Sequence, residues 1–387
     1  MKLKVGVLFG GRSGEHEVSL KSASSVMAAL NPSKYDIVPI GITREGTWLA
    51  GNDPMEALST GNLPGGNLPV AVVPDPGVGG LIYLTEAGPS DSSGAGESFG
   101  PGPGGVRTAH LVPGRIEKLQ VVFPVLHGTY GEDGTVQGLL ELAGIPYVGP
   151  GVLAASAGMD KVVMKMLFQQ SGLPVGKYLY FLKREWEEGR EQILEQVEKE
   201  LGYPCFIKPA NLGSSVGISK AADRQQLIQG IEEAAQYDRK IVVEEHLSGK
   251  EIEVSVLGND DPEASVPGEI IPSNDFYDYQ AKYIDDRSEL VIPAQLGEKL
   301  TAEVRSMAVE VFKAVDGSGM GRVDFFVDPS AETIVVNEIN TIPGFTQISM
   351  YPKLWEATGL SYPHLLDRLI ELALERFQEK AELKTIF

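Results

Sequence analysis

A single cysteine, Cys205, in 387 residues leaves no partner for a disulfide and no thiol pair for a zinc site, which fits a reducing compartment. Histidine is scarce too, with five residues and no metal-ligand spacing among them. No uninterrupted apolar run approaches the ~18 residues that would span a membrane. Positive charge is short: 33 Lys and Arg against 53 Asp and Glu give a net charge of −20. That balance argues against nucleic acid or an anionic membrane surface as partner. Any phosphate ligand must then be held by local lysines, glycine amides and metal. The apolar run at residues 5–9 is cut short by glycines, so it is expected as a first strand and not a signal peptide. A cytoplasmic location is expected.

At this length the chain exceeds one ordinary core and should fold as two or three packed units, and 42% hydrophobic residues make it globular. A strand at 5–9, a helix over about 15–30 and a strand at 35–42 predict a β–α–β opening and a doubly wound α/β domain over about 1–150. Residues 51–115 hold 15 Gly and 9 Pro, so 75–107 is expected as a long mobile excursion with one short strand at 81–84. The fold is expected to resume at 119–126. A central region over about 151–212 follows, then a third over about 213–387, mixed α+β with antiparallel strands.

The most informative segment is Gly321-Arg322-Val323-Asp324-Phe325-Phe326-Val327, a turn through Asp328-Pro329-Ser330, and Thr333-Ile334-Val335-Val336-Asn337-Glu338-Ile339-Asn340. Both runs alternate apolar and polar residues, which predicts a β-hairpin. If the turn closes near Ser330, Asp324 lies opposite Val336 and diagonal to Glu338. Arg322, Asp324, Glu338 and Asn340 then share one face, with ~7–8 Å across the diagonal. Two carboxylates and an amide oxygen suit Mg²⁺ when water and nucleotide phosphate complete the shell. Alone, such a set is as often a solvated polar strip.

Two further stretches carry chemistry. Lys208-Pro209-Ala210-Asn211-Leu212-Gly213-Ser214-Ser215-Val216-Gly217 places a Gly/Ser loop and a basal lysine between two strands, an arrangement able to cover a triphosphate. It is not a Walker A loop, and Gly10–Gly14 lacks Rossmann spacing. A plain hairpin turn is the competing reading. Val242-Val243-Glu244-Glu245-His246-Leu247 reads as a strand whose end could meet an adenine, with Glu251 placed for ribose hydroxyls; solvated glutamates at a strand end are the alternative.

In order, these pieces resemble the D-alanine–D-alanine ligase family of the ATP-grasp superfamily. The resemblance rests on Phe9-Gly10-Gly11-Arg12-Ser13-Gly14-Glu15-His16-Glu17-Val18-Ser19, residues 127–135, Met159-Asp160-Lys161 and residues 208–217. It continues through 244–251, 276–283, 321–324 and 337–344, so it covers nearly the whole chain outside the Gly/Pro excursion. It implies a two-lobed ATP-grasp domain with antiparallel sheets, ligation of two D-alanines through an acylphosphate, and supply of peptidoglycan precursor. It implies ATP as substrate, two Mg²⁺ or Mn²⁺ on Asp324, Glu338 and Asn340, and a homodimer. Lys161, Lys208, Ser214, Ser215 and Lys282 would attend the phosphates, and Glu244, Leu247 (through its backbone) and Glu251 the adenosine. Glu15 and His127 would meet the first substrate, Arg322 and the Gly344 amide the developing oxyanion, and Lys282 and Ser349 the second carboxylate. Ser214 and Tyr283 would join Glu15 in a hydrogen-bonded set over the closed site. The segment 275–289 is expected as a lid. Ala281-Lys282-Tyr283 favours an amine acceptor over D-lactate.

Overall fold

The computed structural model describes residues 2–61, 66–86, 111–213, 216–271 and 289–384. The N-terminal sheet contains β1 (Leu3–Gly10), β2 (Tyr35–Ile42), β3 (Trp48–Gly51), β4 (Asn67–Val72), β5 (Gly80–Glu86), β6 (Leu111–Lys118) and β7 (Val121–Pro124), in the order β6-β5-β4-β3-β2-β1-β7. β1 pairs in parallel with β2 and β7, and helices cover both faces of these strands. Val5, Val7 and Phe9 bury against α1 (His16–Ala29), while Leu8 and Ile40 bury with Val136 and Leu140 further along the chain. The remaining strands form an antiparallel meander.

The short strand expected at 81–84 is present as β5, and the meander corrects the expectation of a mobile excursion around it, since β5 belongs to a packed sheet. Asp75–Gly79 is a hydrogen-bonded turn, and β5 follows with Leu81 and Tyr83 buried. Glycine density here reflects close backbone approach. A Cβ on Gly80 would lie 2.1 Å from the Glu117 carbonyl oxygen. Residues 87–107, the rest of the excursion, lie outside the described residues, as do 275–288 of the expected lid.

Between β3 and β4 lies α2 (Pro54–Thr60), and after β7 come α3 (Thr135–Leu142), α4 (Val152–Met159) and α5 (Lys161–Gln170). Asp160 caps α5, its carboxylate accepting from the Val162 and Val163 amides. A four-stranded antiparallel sheet follows, built of β8 (Tyr178–Leu182), β9 (Cys205–Pro209), β10 (Ser219–Ala221) and β11 (Lys240–Glu245), in the order β10-β9-β11-β8. The expected border near 212 falls inside this sheet, because β9 and β10 are a hairpin. One face is sealed by α6 (Lys183–Glu200) and α7 (Arg224–Ala234), through Leu194, Val197, Leu227 and Ile231 against Ile207, Ile241 and Val243. Lys208 and Glu244 stand on the opposite face.

The last sheet comprises β12 (Lys250–Gly258), β13 (Glu263–Ala264), β14 (Gly268–Ile271), β15 (Glu289–Val291), β16 (Gly319–Asp328) and β17 (Thr333–Asn340). Its order is β15-β14-β12-β16-β17, with β13 beside β12. Ile252, Val254, Val323 and Phe325 pack on α8 (Glu298–Ala314). Helices α9 (Met350–Thr358) and α10 (Tyr362–Ala381) return to the N-terminal sheet, where Leu365, Leu366 and Leu369 join the core of β1 and α1.

The β16–β17 hairpin forms as expected but in a different register. Asp328 pairs with Thr333 and Phe325 with Val336, one residue off the predicted closure. That offset alone would turn Glu338 and Asn340 toward the core, since a one-residue slip exchanges the faces of a strand. A β-bulge between Asp324 and Phe325 leaves Asn337 without an opposite residue and reverses the exchange. Asp324 therefore lies directly opposite Glu338, and Arg322 opposite Asn340. The expected diagonal becomes a direct pair, whose Cα atoms in such a ladder are about 4.5–5.5 Å apart.

Inserting one residue between Asp324 and Phe325 gives Asn337 a partner and makes the ladder regular, so Asp324, Glu338 and Asn340 turn inward or Phe325 and Val336 turn out. The insertion variant should melt well below the parent, whereas Asn337→Ala, which keeps the bulge, should stay close to it. Coincident melting curves by circular dichroism for insertion variant and parent would contradict this account.

Candidate active site

On the open face of the last sheet, the pairings Glu253–Asp324–Glu338 and Ser255–Arg322–Asn340 form two adjacent cross-strand rows. Arg322 forks Asp324, with Nε to Oδ1 at 2.8 Å and Nη2 to Oδ2 at 2.8 Å, and its Nε lies 3.0 Å from Glu253 Oε2. The Asn340 amide donates to Asp324 Oδ2 at 3.0 Å. Three carboxylates in one row repel one another, and a cation offsets that repulsion. Among the described residues no group of three or more His, Cys, Asp or Glu is placed to hold a metal ion. A cation at Asp324 and Glu338 must therefore complete its shell from Asn340, water and phosphate. This all-oxygen, half-open set fits Mg²⁺ or Mn²⁺.

Facing this row is the second sheet. Lys208 Nζ donates to Glu244 Oε2 at 2.8 Å, and Lys165 Nζ stands 3.2 Å from Glu244 Oε1. Burial raises the Glu244 pKa, but the two lysines outweigh it and hold the carboxyl down at about 2. Burial lowers the Lys208 pKa, yet Glu244, Glu338 and Glu251 more than reverse this and leave it above the ordinary lysine value. The reach of Glu338 and Glu251 to Lys208 places both sheets around one cleft. Lys161 opens α5; its amide donates to the Ala210 carbonyl and its Nζ to Leu212 O at 2.9 Å, which fixes the base of the glycine loop. Leu247 follows β11 and packs its side chain over Gly176.

At the other end of the cleft, Glu15 precedes α1 and is buried. Its carboxylate is crowded by two backbones: a Cβ on Gly128 would lie 2.5 Å from Glu15 Oε2, and one on Gly213 2.8 Å from it. The start of α1, the loop after β7 and the glycine loop thus converge on Glu15. His127 is buried, with Nδ1 3.2 Å from Ile342 O and Nε2 3.2 Å from Ser22 Oγ. Burial lowers its pKa despite Glu15 and the Ile342 carbonyl, so the ring is neutral at pH 7. Nδ1 donates to Ile342 and Nε2 accepts from Ser22. A Cβ on Gly344 would lie 3.2 Å from Ser349 Oγ, so these two candidate site residues lie side by side. Ser349 Oγ accepts from the Thr346 amide at 3.1 Å, closing the turn before α9. Ser214, Ser215, Lys282 and Tyr283 lie outside the described residues.

Three residues of the site escaped sequence reasoning. Glu253 looks like any strand glutamate until its pairing with β16 is known. Lys165 sits one helical turn beyond Lys161, a spacing that could have exposed it. Glu132 accepts from the Gly128 amide at 2.7 Å and from the Ile342 amide. Loss of water around its carboxyl, with Glu15 close by, pushes its pKa well above the ordinary value. Together Glu132 and His127 grip both sides of Ile342, two residues before Gly344.

The Glu244 ion triad carries a pH signature. Its folded pKa of about 2 lies below the ordinary 4.5, so its stabilisation is full above about pH 4.5 and fades as pH falls toward 2. The melting-temperature gap between parent and Glu244→Gln should therefore narrow from pH 7 to pH 3. A gap that stays constant over that range would mean the charges contribute nothing.

Two family models match the chain: the D-Ala D-Ala ligase N-terminus over residues 4–150 and the D-Ala D-Ala ligase C-terminus over 167–371. A D-alanine–D-alanine ligase of Natranaerobius thermophilus is 52% identical over 386 residues, covering 100% of this chain and 99% of the relative. That of Bacillus cytotoxicus is 49% identical, covering 99% of each. Among solved structures, the VanG D-Ala:D-Ser ligase of Enterococcus faecalis is 38% identical with a TM-score of 0.80, covering 96% of this chain and 100% of that one. The D-alanine–D-alanine ligase of Coxiella burnetii is 35% identical with a TM-score of 0.79, covering 98% and 96%. Full-length identity near one half, two family models in tandem and the same overall fold leave one conclusion: the chain belongs to the D-alanine–D-alanine ligase family.

Proposed function

We propose that this protein joins two D-alanines at the expense of ATP, releasing ADP and phosphate and supplying peptidoglycan precursor in the cytoplasm. The observation that carries the reading is the shared cleft: Arg322, Asp324, Glu338 and Asn340 on one sheet face Lys208 and Glu244 on the other. No helix among the described residues is long and apolar enough to cross a membrane.

The first D-alanine carboxylate attacks the γ-phosphorus of ATP and forms an acylphosphate while ADP leaves. The amine of the second attacks the acyl carbon; the tetrahedral adduct then expels phosphate and loses a proton to give the dipeptide. Glu15 holds the first ammonium, and neutral His127 lies beside it. Arg322 and the Gly344 amide donate to the oxyanion that develops at the acyl carbon. Ser349 and Lys282 receive the second carboxylate. Lys161, Lys208, Ser214 and Ser215 bind phosphate, and Glu244, Leu247 and Glu251 bind adenosine. Tyr283 and Ser214 join Glu15 in closing the site. Asp324, Glu338 and Asn340 would hold two Mg²⁺ or Mn²⁺, which neutralise phosphate charge during transfer. Substrate binding by 1–150, the ATP-grasp role of the two later regions and a homodimer complete the proposal; light scattering checks the last.

A second acceptor is a concrete alternative, because one structural relative is described as a D-Ala:D-Ser ligase. Ala281-Lys282-Tyr283 favours an amine acceptor over D-lactate and bears equally on D-alanine and D-serine; the family favours D-alanine. With ATP, Mg²⁺ and D-alanine, phosphate release should match dipeptide formed, and D-alanine should outcompete D-serine and D-lactate. Arg322→Met should lower kcat by about 10²–10³ with substrate KM values little changed. No phosphate release with any D-amino acid, or full activity in Arg322→Met, would overturn the assignment.

A further inference from the structure

Among the described residues, Lys165 is the buried lysine to which the proposed reaction assigns no role. It is 3% exposed, on α5, one turn past Lys161. Burying an ammonium costs several kcal/mol unless it is paired and fully hydrogen-bonded, so its partners indicate why the charge is kept. Its two polar partners come from different sheets, and the Tyr178 ring centroid lies 6.0 Å from Nζ. Nζ donates to the carbonyl of Asn337, the bulged residue of β17, at 3.2 Å, and lies 3.2 Å from Glu244 Oε1 on β11. The preceding residue completes the grip, since the Ile339 amide donates to Met164 Sδ at 3.4 Å. On the near side of the bulge, the Val336 amide donates to Pro174 O at 2.8 Å. α5 and the segment just after it therefore hold backbone groups on both sides of the irregularity.

A bulge disrupts the ladder locally and leaves polar groups that need partners elsewhere. Without one, the favourable alternative is a regular ladder, which turns Glu338 and Asn340 away from the cleft. An apolar residue at 165 would also leave Glu244 facing Lys208 alone.

We infer that Lys165 is a positioning residue that pins the Asn337 bulge, keeping Glu338 and Asn340 turned toward a divalent cation, and that balances Glu244 when Lys208 engages nucleotide phosphate. The inference rests on the ligase reading and deepens it: one lysine couples metal affinity to nucleotide affinity without touching either ligand.

The test uses the full chain. Equilibrium binding of ADP is measured in EDTA and across a Mg²⁺ titration, and steady-state rates are measured against Mg²⁺, ATP and D-alanine. In Lys165→Met the Mg²⁺ half-saturation should rise about 10–100-fold, the range for loss of a residue that orients metal ligands. ADP should bind more weakly even in EDTA, and KM for D-alanine should stay within about twofold, since those contacts are remote. Lys165→Arg, which keeps donor and charge, should recover most of both affinities. If Lys165→Met does not fold, Lys165→Gln is measured for the same split. A folded Met or Gln variant with unchanged Mg²⁺ and ADP affinity overturns the inference. So does an equal loss toward D-alanine, or failure of both variants to fold, since either marks Lys165 as mere support of the core. A parent protein that binds ADP and Mg²⁺ but releases no phosphate sinks the ligase reading instead and leaves the positioning role standing.

Discussion

One unpaired residue in a hairpin decides which way the cleft's charged groups point. β16 and β17 close in a register that, continued regularly, would send Glu338 and Asn340 into the core beneath α8. The bulge at Asn337 resets the alternation between Val336, fully buried, and Glu338. Apolar residues on the turn side of the bulge and on the far side then face the same core, while the polar residues face the cleft. A bulge has a local cost in ladder hydrogen bonds and is retained where it re-aims side chains. Here the helix that opens with Lys161 meets the backbone at the bulge and just beyond it, through Lys165 to the Asn337 carbonyl and Met164 to the Ile339 amide.

Charge in this acidic protein is organised around that face. Glu253, Asp324 and Glu338 stand in one row across three strands, and Arg322 braces the first two. Across the cleft, two lysines surround Glu244, and Lys208 also feels Glu338 and Glu251. Each lobe is thus incomplete electrostatically without the other. A phosphate chain with its cation entering between them would replace lysine–glutamate pairing by lysine–phosphate pairing. The net charge of −20 argues against polyanionic partners in bulk, and under the proposed function this local arrangement receives the triphosphate.

Much of this was legible in the sequence, and the failures have physical causes. Strand periods located β2 and β11 residue for residue, and turn chemistry located the hairpin. The exact pairing was not readable, because a bulge leaves no mark in period-2 alternation until both strands are aligned. The meander of β3 to β6 was obscured by glycine and proline that signal turns and disorder equally well; at Gly80 the residue is needed because a neighbouring backbone oxygen occupies the place of a side chain. Glu132, Lys165 and Glu253 went unnoticed because their roles depend on elements distant in sequence. Lys165 meets residues 79 and 172 positions away, Glu244 and Asn337, a separation that no local pattern encodes.

The same logic extends to the amino-acid end of the cleft. The Ile342 peptide unit is held on one side by Glu132, which accepts from its amide, and on the other by His127, which donates to its carbonyl. Both come from the loop after β7 in the N-terminal domain, while Ile342 belongs to the segment leaving β17. Ser22 of α1 extends the link, meeting His127 and accepting from the Phe345 amide. Gly344 lies between these anchors, so the direction of its amide is set by contacts across a domain boundary and not by its own turn alone. In the proposed role of oxyanion donor, an amide aimed in this way would be organised before substrate arrives, which is the condition under which such a hydrogen bond lowers a barrier most. Under the proposed function the bulge orients the phosphate end of the site and the Ile342 clamp the acyl end. Each is a backbone feature held by buried ionisable side chains from another element, so the arrangement forms only when all the units pack.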